Sequence, residues 1–136
     1  MIIKYSQLPN IKSKIVLAPL VPITFANGDY EFSTFALVDS GATGAIISIV
    51  IAEDLHIDWR KIPVNFGFSV GSSFKSHRYN NLEAEVYNHK FRLSVGIVEG
   101  ISPHRRILGQ ADIFKRAKIT FEGYKQQFEI KFREIN

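Results

Sequence analysis

The sequence contains one aspartate at a position where a carboxylate is costly to bury. Asp39 directly follows the apolar residues 36–38, at the end of a predicted core strand. Loss of water there disfavours its charge unless hydrogen bonds or a partner compensate. Ser40 offers a hydroxyl for the carboxylate or its backbone, and Gly41 permits a tight turn that another segment approaches closely. An Asp-Ser-Gly string is also a common turn, so the motif alone leaves a purely structural role open.

A second motif, Ile107-Leu108-Gly109, is apolar and ends in glycine. Its glycine lies 70 residues after Asp39, and a short helix is predicted directly afterwards, over residues 111–117. Between the two motifs lies a predicted β-hairpin whose tip is rich in glycine and serine. The order along the chain is therefore a strand ending in an acid, a hairpin, an apolar-apolar-glycine string and a helix.

This ordered set resembles the retropepsins, the single-lobe aspartic proteases of retroviral and bacterial type. In that family an apolar strand ends in Asp-Ser/Thr-Gly-Ala, a β-hairpin flap follows, and an apolar-apolar-Gly motif precedes the C-terminal helix. The resemblance extends over about residues 15–132, nearly the whole chain. It implies a mainly all-β fold, namely a closed β-barrel-like acid protease fold with two short helices and a β-hairpin flap. It also implies aspartic endopeptidase activity.

The resemblance further implies roles for single residues, with no metal and no cofactor. Asp39 is the implied catalytic residue. The implied active-site loop is Ser40, Gly41, Ala42 and Thr43. The implied flap covers about residues 64–78, and its substrate-binding residues are Val70, Gly71, Ser72, Ser73 and Phe74. The implied structural support is Ile107, Leu108, Gly109 and Gln110.

Two positions depart from the family pattern. Gln110 stands where the family often has arginine, and Thr43 stands where some retroviral members have an acid. We expect these two side chains to lie close together beneath the active-site loop. A neutral pair would then replace an ion pair.

Hydrolysis by aspartates requires two carboxylates that share one proton, one acting as base toward water and the other as acid toward the carbonyl. The sequence has one such motif, and Asp112 is expected to interact with the N-terminus of the short helix instead. The second carboxylate must therefore come from another copy. We expect a homodimer with Asp39 of each chain on the two-fold axis, acting on a peptide or protein substrate. The alternative is an inactive dimer of this fold that binds peptides as an adaptor module.

Short strands separated by turn residues make up most of the remaining sequence. The string Asn27-Gly28-Asp29 is a strong hairpin signal. One helix is predicted over residues 49–56, with Ser48 as its N-cap. Strands are predicted at residues 14–17, 23–25, 30–38, 64–70, 74–87, 91–95, 119–121 and 128–132.

Composition narrows the choice of protein class. A chain of 136 residues is expected to form one domain, over residues 1–136. The absence of cysteine excludes disulfide scaffolds, thiolate zinc sites and cysteine nucleophiles. No apolar run reaches the roughly 18 to 20 residues that span a bilayer, and no signal-peptide pattern is present. We therefore expect no membrane partner and a cytoplasmic location, unless the chain is excised from a longer precursor.

Three weaker signals favour no further function. The histidines lack metal-binding spacing and are expected at the surface or in turns; they are His56, His77, His89 and His104. Residues 41–44 follow a strand as a phosphate-binding loop would, but no Lys-Ser/Thr follows them and the neighbouring acid would repel phosphate. The net charge of +4 and the basic string His104-Arg105-Arg106 suit anionic partners, yet the excess is too mild to indicate a nucleic-acid partner.

Overall fold

The computed structural model describes residues 1–8, 16–69, 72–100 and 106–134. In these ranges the strands are β1 (Ile2–Lys4), β2 (Ser6–Gln7), β3 (Leu17–Ala18), β4 (Leu20–Asn27), β5 (Tyr30–Val38), β6 (Ala45–Ser48), β7 (Val64–Ser69), β8 (Ser72–Val86), β9 (His89–Val98), β10 (Ile107–Leu108), β11 (Ala117–Glu122) and β12 (Gln127–Phe132). The α-helices are α1 (Ile49–Asp54) and α2 (Ile113–Arg116), and 3-10 turns lie at Trp59–Lys61 and Gly123–Lys125. Neither α-helix is long and apolar enough to cross a membrane.

Six strands close into a barrel, as the resemblance implied. Their neighbour order is β4-β5-β10-β6-β9-β8, and β8 pairs again with β4. Because the barrel is closed, none of these six strands has an edge that is unpaired along its whole length. Within the described ranges, β7 pairs only with β8 and extends the sheet as a hairpin arm beyond the barrel. Alternate side chains point inward and form the core, which includes Val21, Ile23, Phe25, Val38, Ile47, Leu82, Val95 and Ile97.

Helix α1 follows β6 without a loop. Ser48 is its N-cap, as predicted, and its hydroxyl accepts a hydrogen bond from the Ile51 N–H at 3.4 Å. The helix ends at Asp54, two residues earlier than predicted. The reason is the backbone of His56, whose φ of 56° is left-handed and cannot continue an α-helix.

β10 is only two residues long but occupies a central place in the barrel. It lies between β5, to which it is parallel, and β6, to which it is antiparallel. Ile107 pairs with Leu37, and the fully buried Leu108 pairs with Val38, the last residue of β5. Because the two strands are parallel and in register, the segments that follow them emerge side by side.

A three-stranded sheet in the order β1-β12-β11 lies beside the barrel; we call it the terminal sheet. Its central strand carries Phe128, which is fully buried and lies against the rings of Tyr5 and Phe121, with centroids 6.1 Å away in each case. The hairpin of β11 and β12 was predicted. β1 was not, because three residues are too few to show a period-two pattern.

Substitution of Phe25 tests the packing where the barrel closes. Phe25 is 1% exposed and pairs with Phe32 of β5 on one side and Ala84 of β8 on the other. Phe25→Ala should lower the free energy of unfolding by about 3–5 kcal/mol, because it removes a ring from the core and leaves a cavity. The matched control is Phe35→Ala on β5, whose ring is 56% exposed and which should cost less than about 1 kcal/mol. Urea unfolding measures both, and equal losses would contradict this account of the core.

Candidate active site

The loop after β5 holds Asp39 in a defined geometry. The Asp39 side chain is half-buried, and its Oδ1 accepts a hydrogen bond from the Gly41 N–H at 2.9 Å. The Asp39 N–H donates to the Leu108 carbonyl at 3.0 Å, and its own carbonyl accepts from the Ala42 N–H at 3.2 Å. A Cβ at position 41 would lie 3.2 Å from Oδ1, so glycine suits this turn. No hydrogen bond within the described residues engages the other carboxylate oxygen, Oδ2.

The segment after β10 packs directly on this loop. The Gln110 N–H donates to the Ala42 carbonyl, and the Ala111 N–H donates to the Thr43 carbonyl, both at 2.9 Å. Gly109 permits the close approach, because a Cβ there would lie only 2.5 Å from the Ala42 oxygen and 3.0 Å from its carbonyl carbon. The second motif of the sequence therefore forms the base on which the first one rests.

Gln110 supports the loop in a different way from the one predicted. Its side-chain Nε2 donates to the Ser40 carbonyl at 2.8 Å. Thr43 is exposed and meets this segment through its backbone carbonyl. The two segments are therefore joined by backbone hydrogen bonds, whereas no hydrogen bond within the described residues joins the Gln110 and Thr43 side chains, because the amide donates to a backbone carbonyl of the loop.

Asp112 is a buried anchor beneath the loop. It is 2% exposed, and its Oδ1 accepts hydrogen bonds from the Gly109 N–H at 2.9 Å and the Ile113 N–H at 2.7 Å. Its predicted interaction with the helix N-terminus is thus confirmed, although α2 begins two residues later than predicted because the Asp112 backbone is not helical. Burial raises the pKa of Asp112, although these N–H groups and the nearby Arg116 guanidinium favour its charged form.

A cleft of about 640 Å³ separates the Asp39 loop from the β7–β8 hairpin. Its loop side consists of Asp39 and residues 41–46, and Gly96 of β9 contributes to its floor. The hairpin side consists of Asn65, Phe66, Phe74, Ser76 and Arg78. Among the described residues that line the cleft, Asp39 is the only acid and Arg78 the only base.

Some of the predicted flap residues belong to the hairpin side of the cleft. Phe74 lines the cleft, and its predicted contact with substrate stays a prediction. The backbones of Ser72 and Ser73 pair with β7, at Ser69 and Phe68. Val70 and Gly71 lie outside the described residues, so their predicted role at the tip stays a prediction.

Ser76 and Arg78 of β8 are among the cleft residues that sequence reasoning missed. They follow Phe74 at intervals of two along β8, and alternate residues of a strand face the same side. The signal was therefore present in the sequence, because counting by two from Phe74 reaches both of them.

His77 lies between these residues and is buried on the other side of β8. Its Nδ1 is 2.7 Å from the Ile62 carbonyl oxygen, and its Nε2 is 2.8 Å from Glu99 Oε2. The expected surface or turn location is wrong for this histidine. Across the described ranges of the chain, no group of three or more His, Cys, Asp or Glu side chains is arranged to hold a metal ion.

Comparison with solved structures identifies the fold. A crystal structure of a retropepsin-like aspartic protease from Rickettsia conorii matches this chain with a TM-score of 0.64 and 13% sequence identity, covering 94% of this chain and 97% of that one. By sequence, neither a protein-family profile nor a curated protein matches. The chain therefore has a retropepsin-like fold, as the resemblance implied, and this likeness concerns the fold alone.

Substitution of Gly109 tests the contact between the two motifs. Gly109→Ala should lower the free energy of unfolding by about 1–3 kcal/mol, because the new Cβ would overlap the Ala42 carbonyl and force the backbone to move. The matched control is Gly123→Ala, where a Cβ would meet nothing within 4 Å and the expected change is within about 0.5 kcal/mol. Urea unfolding of both variants checks the prediction, which fails if Gly109→Ala is as stable as the control.

Proposed function

We propose that this chain is an aspartic endopeptidase that acts as a homodimer, with one Asp39 from each chain in a shared active site. The observation that carries the proposal is the placement of Asp39. Its half-buried carboxylate is oriented by the Gly41 N–H and lines a cleft roofed by a β-hairpin. The likeness in fold to a retropepsin-like aspartic protease supports the same reading.

The proposed chemistry needs two carboxylates and one shared proton. The ionised carboxylate removes a proton from a water molecule as the water oxygen attacks the carbonyl carbon of the scissile peptide bond. The protonated carboxylate donates its proton to the carbonyl oxygen. In the collapse of the tetrahedral intermediate, the carboxyl that took the proton from water gives it to the amide nitrogen and the C–N bond breaks. The other carboxylate takes back a proton from a hydroxyl of the intermediate, which gives a free carboxyl end and a free amino end and restores the shared proton. No metal or cofactor takes part.

The need for a second chain follows from the contents of the cleft. Asp39 is the only acid among its described lining residues, and the buried Asp112 lies beneath the loop with its Oδ1 engaged by backbone N–H groups. One chain therefore presents half of the acid-base pair. A two-fold symmetric dimer supplies the other half by placing the second Asp39 opposite the first.

The terminal sheet is the surface best suited to that dimer. Phe121 of β11 lines a cavity of about 320 Å³ together with Asp39 and Ser40, so this sheet lies next to the catalytic loop. Large apolar side chains are also exposed on this sheet, at Ile2 and Phe121, and at its ends, at Met1 before β1 and at Tyr124 in the turn between β11 and β12. Burial of such side chains against a second copy is favourable, and it would bring the two loops together.

The remaining predicted site residues have proposed supporting roles. The backbone of Gly41 and the residues Ala42 and Thr43 would contact the peptide along the cleft floor. The β7–β8 hairpin, including Phe74, would close over the peptide from above. Because aromatic rings at Phe66 and Phe74 line the hairpin side, apolar residues beside the scissile bond should fit best.

Asp39→Asn tests the catalytic role. The amide oxygen can still accept from the Gly41 N–H, but the side chain cannot act as a base, so hydrolysis of a mixed peptide library should fall by several orders of magnitude. Initial rates by mass spectrometry provide the measurement. The matched control is Asp58→Asn, an exposed aspartate that pairs with Lys61 and should leave the rate unchanged.

Two results would contradict this assignment. Near wild-type turnover by Asp39→Asn would exclude Asp39 from the mechanism. Wild-type protein that binds peptides without cleaving any of them would favour the inactive adaptor module instead.

Mixing wild-type and Asp39→Asn chains tests the shared site. If both copies must supply Asp39, mixed dimers are inactive, and activity per wild-type chain should fall to about one half at equal amounts and to about one tenth at ninefold excess of the variant. Specific activity of wild type alone should also fall on dilution, as sedimentation shows dimers giving way to monomers. Activity that follows only the amount of wild-type chain would show that one chain is sufficient.

A further inference from the structure

Arg78 is the only basic side chain among the described residues that line the cleft. It lies on β8 in the same face as Phe74 and Ser76, and its side chain is exposed to the cleft. The proposed chemistry at Asp39 makes no use of it. A cation in a binding cleft that the reaction does not use is a candidate for substrate selection.

The strand register places Arg78 next to a glycine in the floor of the cleft. Arg78 pairs with Gly96 of β9, and Gly96 pairs with Ile46 of β6. Residues in register on adjacent strands point to the same face, so the guanidinium lies beside a position that has no side chain. A Cβ at Gly96 would lie 2.8 Å from the Ser76 hydroxyl, which shows how closely this part of the floor is fitted.

A β-bulge positions the Arg78 side chain. The pairing of β8 with β9 shifts register between Tyr79 and Leu82, and Asn81 within the shift has a left-handed φ of 61°. Bulges of this kind redirect side chains and are frequent near active sites. Here the bulge presents Asn80 Oδ1 to the Ser94 hydroxyl, which donates to it at 2.8 Å. The same Ser94 oxygen accepts from Arg78 Nη1 at 3.0 Å.

Arg78 has no acidic partner among the described residues. By contrast, Arg92 on the neighbouring strand β9 pairs with Glu83 at 2.7 Å, and Arg60 lies 3.7 Å from Glu53. The guanidinium of Arg78 has five N–H donors in a planar fork that matches a carboxylate, and only the bond to Ser94 engages it here. The other N–H donors of Arg78 are therefore available to bind an anionic group in the cleft.

We propose that Arg78 is a specificity residue that selects peptides with a glutamate or aspartate side chain near the scissile bond. This inference rests on the proposed endopeptidase function and adds its substrate class. In the proposed dimer the two-fold axis places a second Arg78 on the other side of the scissile bond. Acidic residues on both sides of an apolar pair are therefore preferred.

The test compares matched peptides on charge variants of the protein. The peptides share an apolar cleavage site found with the mixed library, and each flanking position carries Glu, Gln or Lys in turn. The proteins are wild type, Arg78→Gln and Arg78→Glu, with Arg92→Gln as the control that removes an arginine outside the cleft. Values of kcat/KM are measured at low salt and again at high salt, where attraction between exposed charges is screened.

Wild type should cleave the best-placed Glu peptide roughly three to ten times more efficiently than its Gln counterpart, an advantage typical of a partly exposed charge-assisted contact. Arg78→Gln should lose this preference, so that its ratio of kcat/KM between the Glu and Gln peptides falls to about one. Arg78→Glu should prefer the Lys peptide. Arg92→Gln should keep the wild-type preference, and high salt should reduce it.

Peptide binding to Asp39→Asn, with and without Arg78→Gln, separates this inference from the proposed function. Cleavage with no Glu preference, or with one that survives Arg78→Gln, overturns the role of Arg78 and leaves the endopeptidase intact. Absence of cleavage combined with Glu-selective binding that Arg78→Gln removes overturns the endopeptidase and supports Arg78 as the recognition residue of a binding cleft. Absence of both cleavage and binding overturns both.

Discussion

The pairing of β10 with β5 determines where the Asp39 loop lies. Leu108 pairs with Val38, the residue before Asp39, and the Asp39 N–H donates to the Leu108 carbonyl. Two further backbone hydrogen bonds join the segments that follow, and a glycine at 109 lets them meet at a distance that any other residue would prevent. Because backbone groups make these contacts, the position of Asp39 depends on strand register rather than on a flexible side chain. The register in turn depends on the burial of Leu108 in the barrel core.

The two faces of β8 have different roles in the hairpin side of the cleft. On one face His77 is buried and lies within hydrogen-bonding distance of Ile62 and Glu99, which ties the strand to the structure around it. On the opposite face Phe74, Ser76 and Arg78 line the cleft. A one-residue slip would exchange the two faces, placing an arginine in the interior, so the buried histidine contacts help to specify which side chains a ligand meets. The bulge beyond Tyr79 then ends this alternation where the strand returns to the barrel.

The sequence predicted those features that short patterns encode. Asp39 could be found because an acid directly after an apolar strand is unusual, and the Ser48 cap and the strand over Tyr30–Val38 follow from local residue preferences. The side-chain contact of Gln110 could not be found, since its acceptor is a backbone carbonyl 70 residues away and carbonyls carry no sequence signal. β1 and the early end of α1 were missed because pairing partners and a left-handed residue at His56 are set by tertiary structure. The place of Arg78 in the cleft could be predicted from the alternation of side chains along β8, but only after Phe74 had identified which face of β8 lines the cleft.

Two aspartates lie within a few residues of the contact between the motifs, and their environments differ sharply. Asp112 is nearly inaccessible, and its hydrogen bonds from the Gly109 and Ile113 N–H groups fix the segment that carries the loop. A search for the most buried carboxylate would choose it as the functional acid, because burial at functional sites is common. Yet the acid of the proposed mechanism must reach water and substrate, and Asp112 is not among the described residues that line the cleft. Asp39 is held by a single N–H and keeps one oxygen unengaged within the described structure. Buried Asp112 thus supports the position of accessible Asp39. Asp112 binds the Gly109 N–H, and Gly109 in turn packs against the loop that carries Asp39.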